Sequence, residues 1–247
     1  MNSTDEIFTN PPLHEVAFEV RFPHLFYLNQ RIGEFQLEIM DDFPKSSQIF
    51  EQAFAIDEKG VTVKDNENPI PSWHFENESG KTKITVHSNK LNIISNEYKS
   101  YNHPSEKKFR DIIEQIVTLF IKQVPIKNFT RLGIRYIDYC PLEKLENEYF
   151  KNFYTPLFDI DRYKLEDILE NRMLFRVRKN DYQLLLQSAI REIDDSYKYI
   201  IDFDGYAINV EASNFINVTD DLKRLIKKEF LSNITENFKE YMRRTNE

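Results

Sequence analysis

One order of elements occurs twice along this chain, and it limits the possible folds more than any single motif. A strand over Glu15–Phe22 is matched by one over Thr130–Tyr139. A short helix predicted from Leu28 is matched by one from Leu142, 114 residues on, and a long helix opening at Pro104 by one opening at Thr219, 115 residues on. A near-constant period signals one supersecondary unit used twice.

The strand assignments rest on parity. In Glu15–Phe22, Val16, Phe18, Val20 and Phe22 share one face, and Glu15, Glu19 and Arg21 the other; that alternation marks a half-buried strand. Pro23 ends it. Residues 28–43 change to helical spacing, with Leu28, Ile32, Phe35, Ile39 and Phe43 on one stripe and Pro44 as the stop. A strand is predicted over Gln48–Ile56 and a charged loop over 57–71. Three runs then follow, Trp73–Glu78, Lys81–His87 and Leu91–Ser95, separated by two-residue breaks that indicate an antiparallel meander. Met173–Val177, Gln183–Arg191 and Tyr197–Phe203 repeat the pattern, broken at Asn180-Asp181 and Asp194-Asp195. Thr219 is the predicted N-cap of the last helix, with Asp220 and Asp221 in its first turn.

This order predicts an α+β fold: two tandem β-α-β-β-β-α units, residues 1–125 and 126–247, with antiparallel strands and helices on one face. The units form two domains or one continuous domain. A shared sheet is the favoured arrangement, because Glu15 and Glu19 opposite Arg131 and Arg135 make favourable cross-strand pairs.

Composition excludes several function classes. Only 5 glycines in 247 residues argue against a glycine-rich phosphate loop. A net charge of −8 opposes nonspecific binding to nucleic acid or anionic lipid. The single Cys140 leaves no intramolecular disulfide, and no apolar run is long enough to span a bilayer. Residues 1–10 are polar and unlike a signal peptide, so the expected location is cytoplasmic. Twenty Phe and 13 Tyr predict an aromatic core or a cavity lined by rings.

The segment Asn10-Pro-Pro-Leu-His-Glu-Val-Ala-Phe-Glu-Val-Arg-Phe22, with Leu132-Gly-Ile-Arg-Tyr-Ile137, resembles a sporadically distributed family of uncharacterised microbial proteins. Its members open with a P-P-L-x-E-V-x-F-E-[VI]-R-F strand and carry a second strand of pattern G-[LI]-R-Y midway along their length. Trp73-His-Phe75 is similar to a first meander strand of that family. The resemblance implies a bacterial or archaeal source and mobile or defence-associated genes. It supplies no catalytic residues.

The leading candidate site is the charge set on the two matched strands, Glu19, Arg21, Arg131 and Arg135 with Tyr136 nearby, since guanidinium forks grip carboxylate or phosphate in two places. The blander alternative, which the residue types favour, is a structural ion-pair lattice on the open sheet face. Lys81, Lys83 and His87, with Arg176, Arg178, Arg191 and Lys198, could make a basic sheet face or a merely solvated one. Asp202 and Asp204 share a strand face, with Glu211 close behind, as in sites that clamp metal ions for phosphoryl transfer. Asp beside Gly at a strand end is also ordinary turn chemistry. Asp159 and Asp161 make a weaker pair. The five histidines have no zinc-ligand spacing, and Cys140 suits a packed thiol better than a nucleophile.

The reading these residues favour is a non-catalytic protein without a cofactor, engaging a basic protein partner as an antitoxin or immunity subunit does. Two alternatives stand: a small anionic ligand in an aromatic cavity anchored by Arg135, and metal-dependent phosphoryl chemistry or nuclease activity at Asp202 and Asp204.

Overall fold

Parity in the sequence becomes pairing in space. The computed structural model describes residues 6–51, 54–57, 60–63, 70–98, 100–101 and 108–244. Among these are eleven strands: β1 (Leu13–Arg21), β2 (Lys45–Glu51), β3 (Phe54–Asp57), β4 (Gly60–Val63), β5 (Ile70–Glu76), β6 (Thr82–His87), β7 (Lys90–Ser95), β8 (Asn128–Pro141), β9 (Asn171–Lys179), β10 (Tyr182–Ile193) and β11 (Ser196–Glu211). The helices are α1 (Leu28–Ile39), α2 (Phe109–Gln123), α3 (Asn147–Phe153), α4 (Phe215–Ser232) and α5 (Glu236–Arg243).

Nine strands form one antiparallel sheet in the order β2-β5-β6-β7-β1-β8-β11-β10-β9. The fold is therefore α+β, and the sheet runs unbroken through the predicted boundary because β1 pairs with β8. Outward from that central pair the strands come as β7, β6, β5 on one side and β11, β10, β9 on the other.

A row of paired residues crosses most of the sheet: Phe75, Ile84, Ile93, Phe18, Ile134, Gly205 and Leu184. These residues are buried, and α1 and α4 reach the row at Phe75 and Gly205. Phe35 of α1 meets Phe75 and Phe120 edge-on, with ring centroids 5.9 and 5.4 Å apart. Phe120 of α2 also touches Phe22. Each fully buried phenylalanine contributes about 2–3 kcal/mol of transfer free energy. At Gly205 a Cβ would lie 3.1 Å from Ile226 Cδ1, so the missing side chain lets α4 sit close to the sheet. Beyond it, Phe150, Tyr154, Tyr199 and Phe238 join α3, α5 and β11 in an aromatic cluster. Aromatic side chains thus form a large part of the core among the described residues.

The tight turns follow local chemistry. Asp194 and Asp195 both take positive φ (50° and 57°), as a two-residue hairpin between twisted strands requires. Asn180 does the same between β9 and β10 (56°).

Several boundaries depart from expectation. The segment predicted as one strand to Ile56 divides into β2 and β3, and β3 pairs with β4, inside the predicted loop, as a separate two-stranded sheet. The short helix expected from Leu142 begins at Asn147, because β8 runs on to Pro141 and Leu142 is buried at its end. Residues 155–168 contain two short 3₁₀ turns. α4 begins at Phe215, not Thr219, and Thr219 is buried inside it with its hydroxyl donating to the Phe215 carbonyl (2.7 Å). The predicted opening of α2 at Pro104 lies outside the described residues, and the described helix begins at Phe109.

These shifts alter the period. β1 and β8 start at 13 and 128, α1 and α3 at 28 and 147, and α2 and α4 at 109 and 215. Spacing near 115 thus holds for β1 and β8 alone: β5 and β9 start at 70 and 171, β6 and β10 at 82 and 182, and β7 and β11 at 90 and 196.

Candidate functional site

The central pair β1–β8 carries different chemistry on its two faces. On the face away from the helix-packed row, Glu19 lies opposite Gly133, and Arg21 opposite Arg131. With no side chain at 133, the Arg131 guanidinium folds across that glycine, where a Cβ would come within 2.6 Å of Nη1. It donates to Glu19 (2.7 Å) and to both oxygens of Asp204 (2.7 Å each), and lies 4.6 Å from the Tyr206 ring centroid. Arg135 grips Asp202 through two bonds of 2.8 and 2.6 Å, and this pairing raises its already high pKa. Arg21 donates to Glu19 (2.7 Å).

Three guanidinium groups therefore meet three carboxylates in a lattice without net charge. The structure brings Glu19, Arg21, Arg131 and Arg135 together as expected, beside a depression of about 250 Å³. It also fills each arginine fork with a carboxylate, so an incoming anion would have to displace one. Glu19 reaches Arg131 diagonally, while Arg135 stands opposite Ala17 and Glu15 opposite Ile137, so none of the expected pairs stands directly across the ladder.

Asp202 and Asp204 do share this face, yet both are held by arginines. Glu211 lies at the far end of β11, opposite Asn128. Among the described residues no group of three His, Cys, Asp or Glu side chains could hold a metal ion. Asp161 pairs with Lys151. In the proposed basic set, Lys83 pairs with Glu76 and Arg191 with Glu170. His14 stacks on Tyr139, and His74 contacts Ser72 and Thr85. The Cys140 thiol is fully buried, and burial pushes its pKa well above the ordinary value, which disfavours the thiolate.

Tyr136 belongs to the other face. With Asp138, two residues on, it lines a cavity of about 230 Å³ between β8 and α4. Ile226 and Phe230 of α4, Met242 of α5, and Phe8 and Leu13 supply apolar wall, with Lys223 and Lys227 beside them. The segment before β1 closes one side. Glu6 accepts two bonds from Arg243 (2.6 and 3.0 Å), its carbonyl accepts from Lys227, and Asn10 N–H donates to the Met242 carbonyl (2.8 Å).

The polar groups of this cavity are unusual. The Tyr136 hydroxyl oxygen is buried and has no hydrogen-bond partner among the described residues, although the residue as a whole is partly exposed. Burial drives its pKa far above the phenol range. Asp138 is 7% exposed. Burial, reinforced by the charge of Asp202, pushes its pKa up from 3.8 to about 7. No described side chain hydrogen-bonds its carboxyl group. Nearby, Tyr101 donates to Asp220 (2.6 Å), which Arg110 also holds (3.0 Å).

The cavity thus presents a phenol and a carboxyl group with spare hydrogen-bonding capacity on a lining that is apolar at Ile226, Phe230 and Met242 and carries Glu6, Lys223 and Lys227 as well. Along β8, Tyr136 alternates with Arg135 and shares the face of Leu132 and Ile134. Carried two residues further, that parity would have found Asp138, but the cavity itself is closed by α4, α5 and the N-terminal segment.

Comparison with known proteins adds little. No family model matches the chain, and no curated protein does. Among solved structures it is similar to the crystal structure of DynU16, from the dynemicin biosynthetic locus, at 8% identity and a TM-score of 0.22, covering 93% of this chain and 97% of that one. No helix among the described residues is long and apolar enough to cross a membrane.

Proposed function

We propose that the chain is a non-catalytic binding protein that holds a small molecule in the cavity between β8 and α4. The ligand has an apolar body and an amine or similar donor head that meets Asp138 and Tyr136. The observation that carries this reading is the buried Tyr136 hydroxyl with no partner among the described residues, since an unmet buried polar group costs about 1–3 kcal/mol. A cavity of about 230 Å³ is below the usual range of roughly 300–1,000 Å³ for larger ligands, which favours a compact metabolite. Arg135 lines the opposite face, so it does not anchor this ligand.

The test is a thermal-shift series at pH 8 with short-chain and phenylalkyl primary amines beside carboxylic acids of the same skeleton. Amines should stabilise the protein, acids should not, and Asp138→Asn should abolish the difference. Equal stabilisation by acids and amines would overturn the reading, as would an amine effect that survives in Asp138→Asn.

We also infer that the scaffold is two copies of one β-α-β-β-β-α unit about a twofold axis between β1 and β8, with helices on one face. The matching strand order on either side of that pair supports it, as do the Phe35, Phe120 and Ile226 contacts with one side of the sheet. Failure of β1, β7, β6 and β5 to superimpose in that order on β8, β11, β10 and β9 in an experimental structure would refute it.

A further inference from the structure

The sheet ends at β9, and this edge differs from the rest of the molecule. In a chain of net charge −8 it carries Arg172, Arg176, Arg178 and Lys179 within one nine-residue strand. Arg172 bonds to Gln187 and Lys179 pairs with Glu229, whereas Arg176 and Arg178 make no ion pair among the described residues. Leu174, Phe175 and Val177 are exposed between them. β10 takes the ladder bonds on one side of β9, and the other side has no neighbouring strand among the described residues.

Open edges are normally short, or protected from pairing by charge, proline or bulges. This one pairs without interruption from Asn171 to Lys179 with β10, has no proline, and has apolar side chains on both faces. Its charges are all positive, and that selects the occupant. Antiparallel pairing with a second copy, centred on Phe175, would set Arg172 opposite Arg178. A shift either way would set Arg172 opposite Arg176, or Arg176 opposite itself. Like charges directly across a ladder are destabilising, so the edge is biased against its own copy.

We propose that β9 is a docking edge for an extended acidic segment of a partner protein, which adds a tenth strand to the sheet. Main-chain hydrogen bonds supply the pairing, Arg176 and Arg178 select acidic side chains on one face, and Phe175 and Val177 take apolar ones on the other. This site is independent of the small-molecule cavity.

The test uses the full chain and a fluorescein-labelled nine-residue peptide of alternating Glu and Val, read by anisotropy at low salt. Saturable binding is expected, weakened at least tenfold by N-methylation of alternate peptide amides and at least tenfold by the exposed double change Arg176→Glu, Arg178→Glu. A Lys-Val peptide should not bind, and hydrogen exchange at β9 amides should slow when the Glu-Val peptide is present. Absence of saturable binding would overturn the proposal. So would equal affinity for the N-methylated peptide, which would mean attraction by charge alone, or insensitivity to the double change. Sedimentation showing a dimer that the double change dissociates would assign the edge to a second copy, and so would also refute it.

Discussion

Replacing Asp138 by asparagine should remove a defined part of the pH dependence of stability. In the folded chain this carboxyl group titrates at about 7, against an ordinary value of 3.8. A carboxyl whose pKa is raised on folding helps the folded state fully below the unfolded value. That help falls as pH rises towards the folded value and is constant above it. The difference of about 3 pH units, at about 1.4 kcal/mol per unit, amounts to roughly 4 kcal/mol lost between pH 4 and pH 7. Between pH 5 and pH 8 the share is about 3 kcal/mol, because the interval below pH 5 is already spent. Asparagine keeps the shape and cannot ionise. Urea unfolding of both proteins at pH 5, 6, 7 and 8 should give curves that diverge by about 3 kcal/mol, with the variant the more stable at pH 8. The other carboxylates are common to both and cancel in the difference. Parallel stability profiles would show that burial does not raise the Asp138 pKa and would refute this reasoning.

Three further outcomes follow from contacts elsewhere. Arg131→Met leaves Glu19 and Asp204 without their shared cation in a site where the arginine is 18% exposed, and should cost about 2–4 kcal/mol in urea denaturation; adding Asp204→Asn should recover part of the loss. Gly205→Ala places a methyl group 3.1 Å from Ile226 Cδ1 and should destabilise by about 1–2 kcal/mol. Combined with Ile226→Val, the total should fall below the sum of the single changes in a double-mutant cycle. Arg243→Ala releases Glu6 from α5 and should speed amide exchange at Asn10 without moving the thermal midpoint.

Much of this architecture was legible because strand parity is a strong local signal. Val16, Phe18 and Val20 against Glu19 and Arg21 fixed both the burial of β1 and its charged face, and Leu132, Ile134 and Tyr136 did the same for β8. Where the sequence misled, a polar side chain had two uses. Thr219 resembles an N-cap, yet its hydroxyl returns to the Phe215 carbonyl inside the helix, so the true start lay four residues earlier. The β3–β4 hairpin escaped notice because charged residues around Gly60 hide its short alternating runs. Grouping Glu19, Arg21, Arg131 and Arg135 was correct as geometry. It could not show that Asp202 and Asp204, on a strand some 70 residues away, would occupy the arginines. Asp138 was missed because burial of a carboxyl group depends on what covers it, and here the cover is α4.

The β1–β8 seam also bears on how the chain assembles. Arg21 and Arg131, neighbours across this ladder, are separated by more than a hundred residues of chain, so most of the polypeptide must exist before the sheet can close. Loop closure over that distance slows folding relative to hairpins such as β10–β11, which can form as soon as they are synthesised. A nascent chain that has not yet produced residues 128–141 holds β1 against β7 with its other side open. That transient edge, flanked by Phe18 and Val20, is where premature association with a second nascent chain would start.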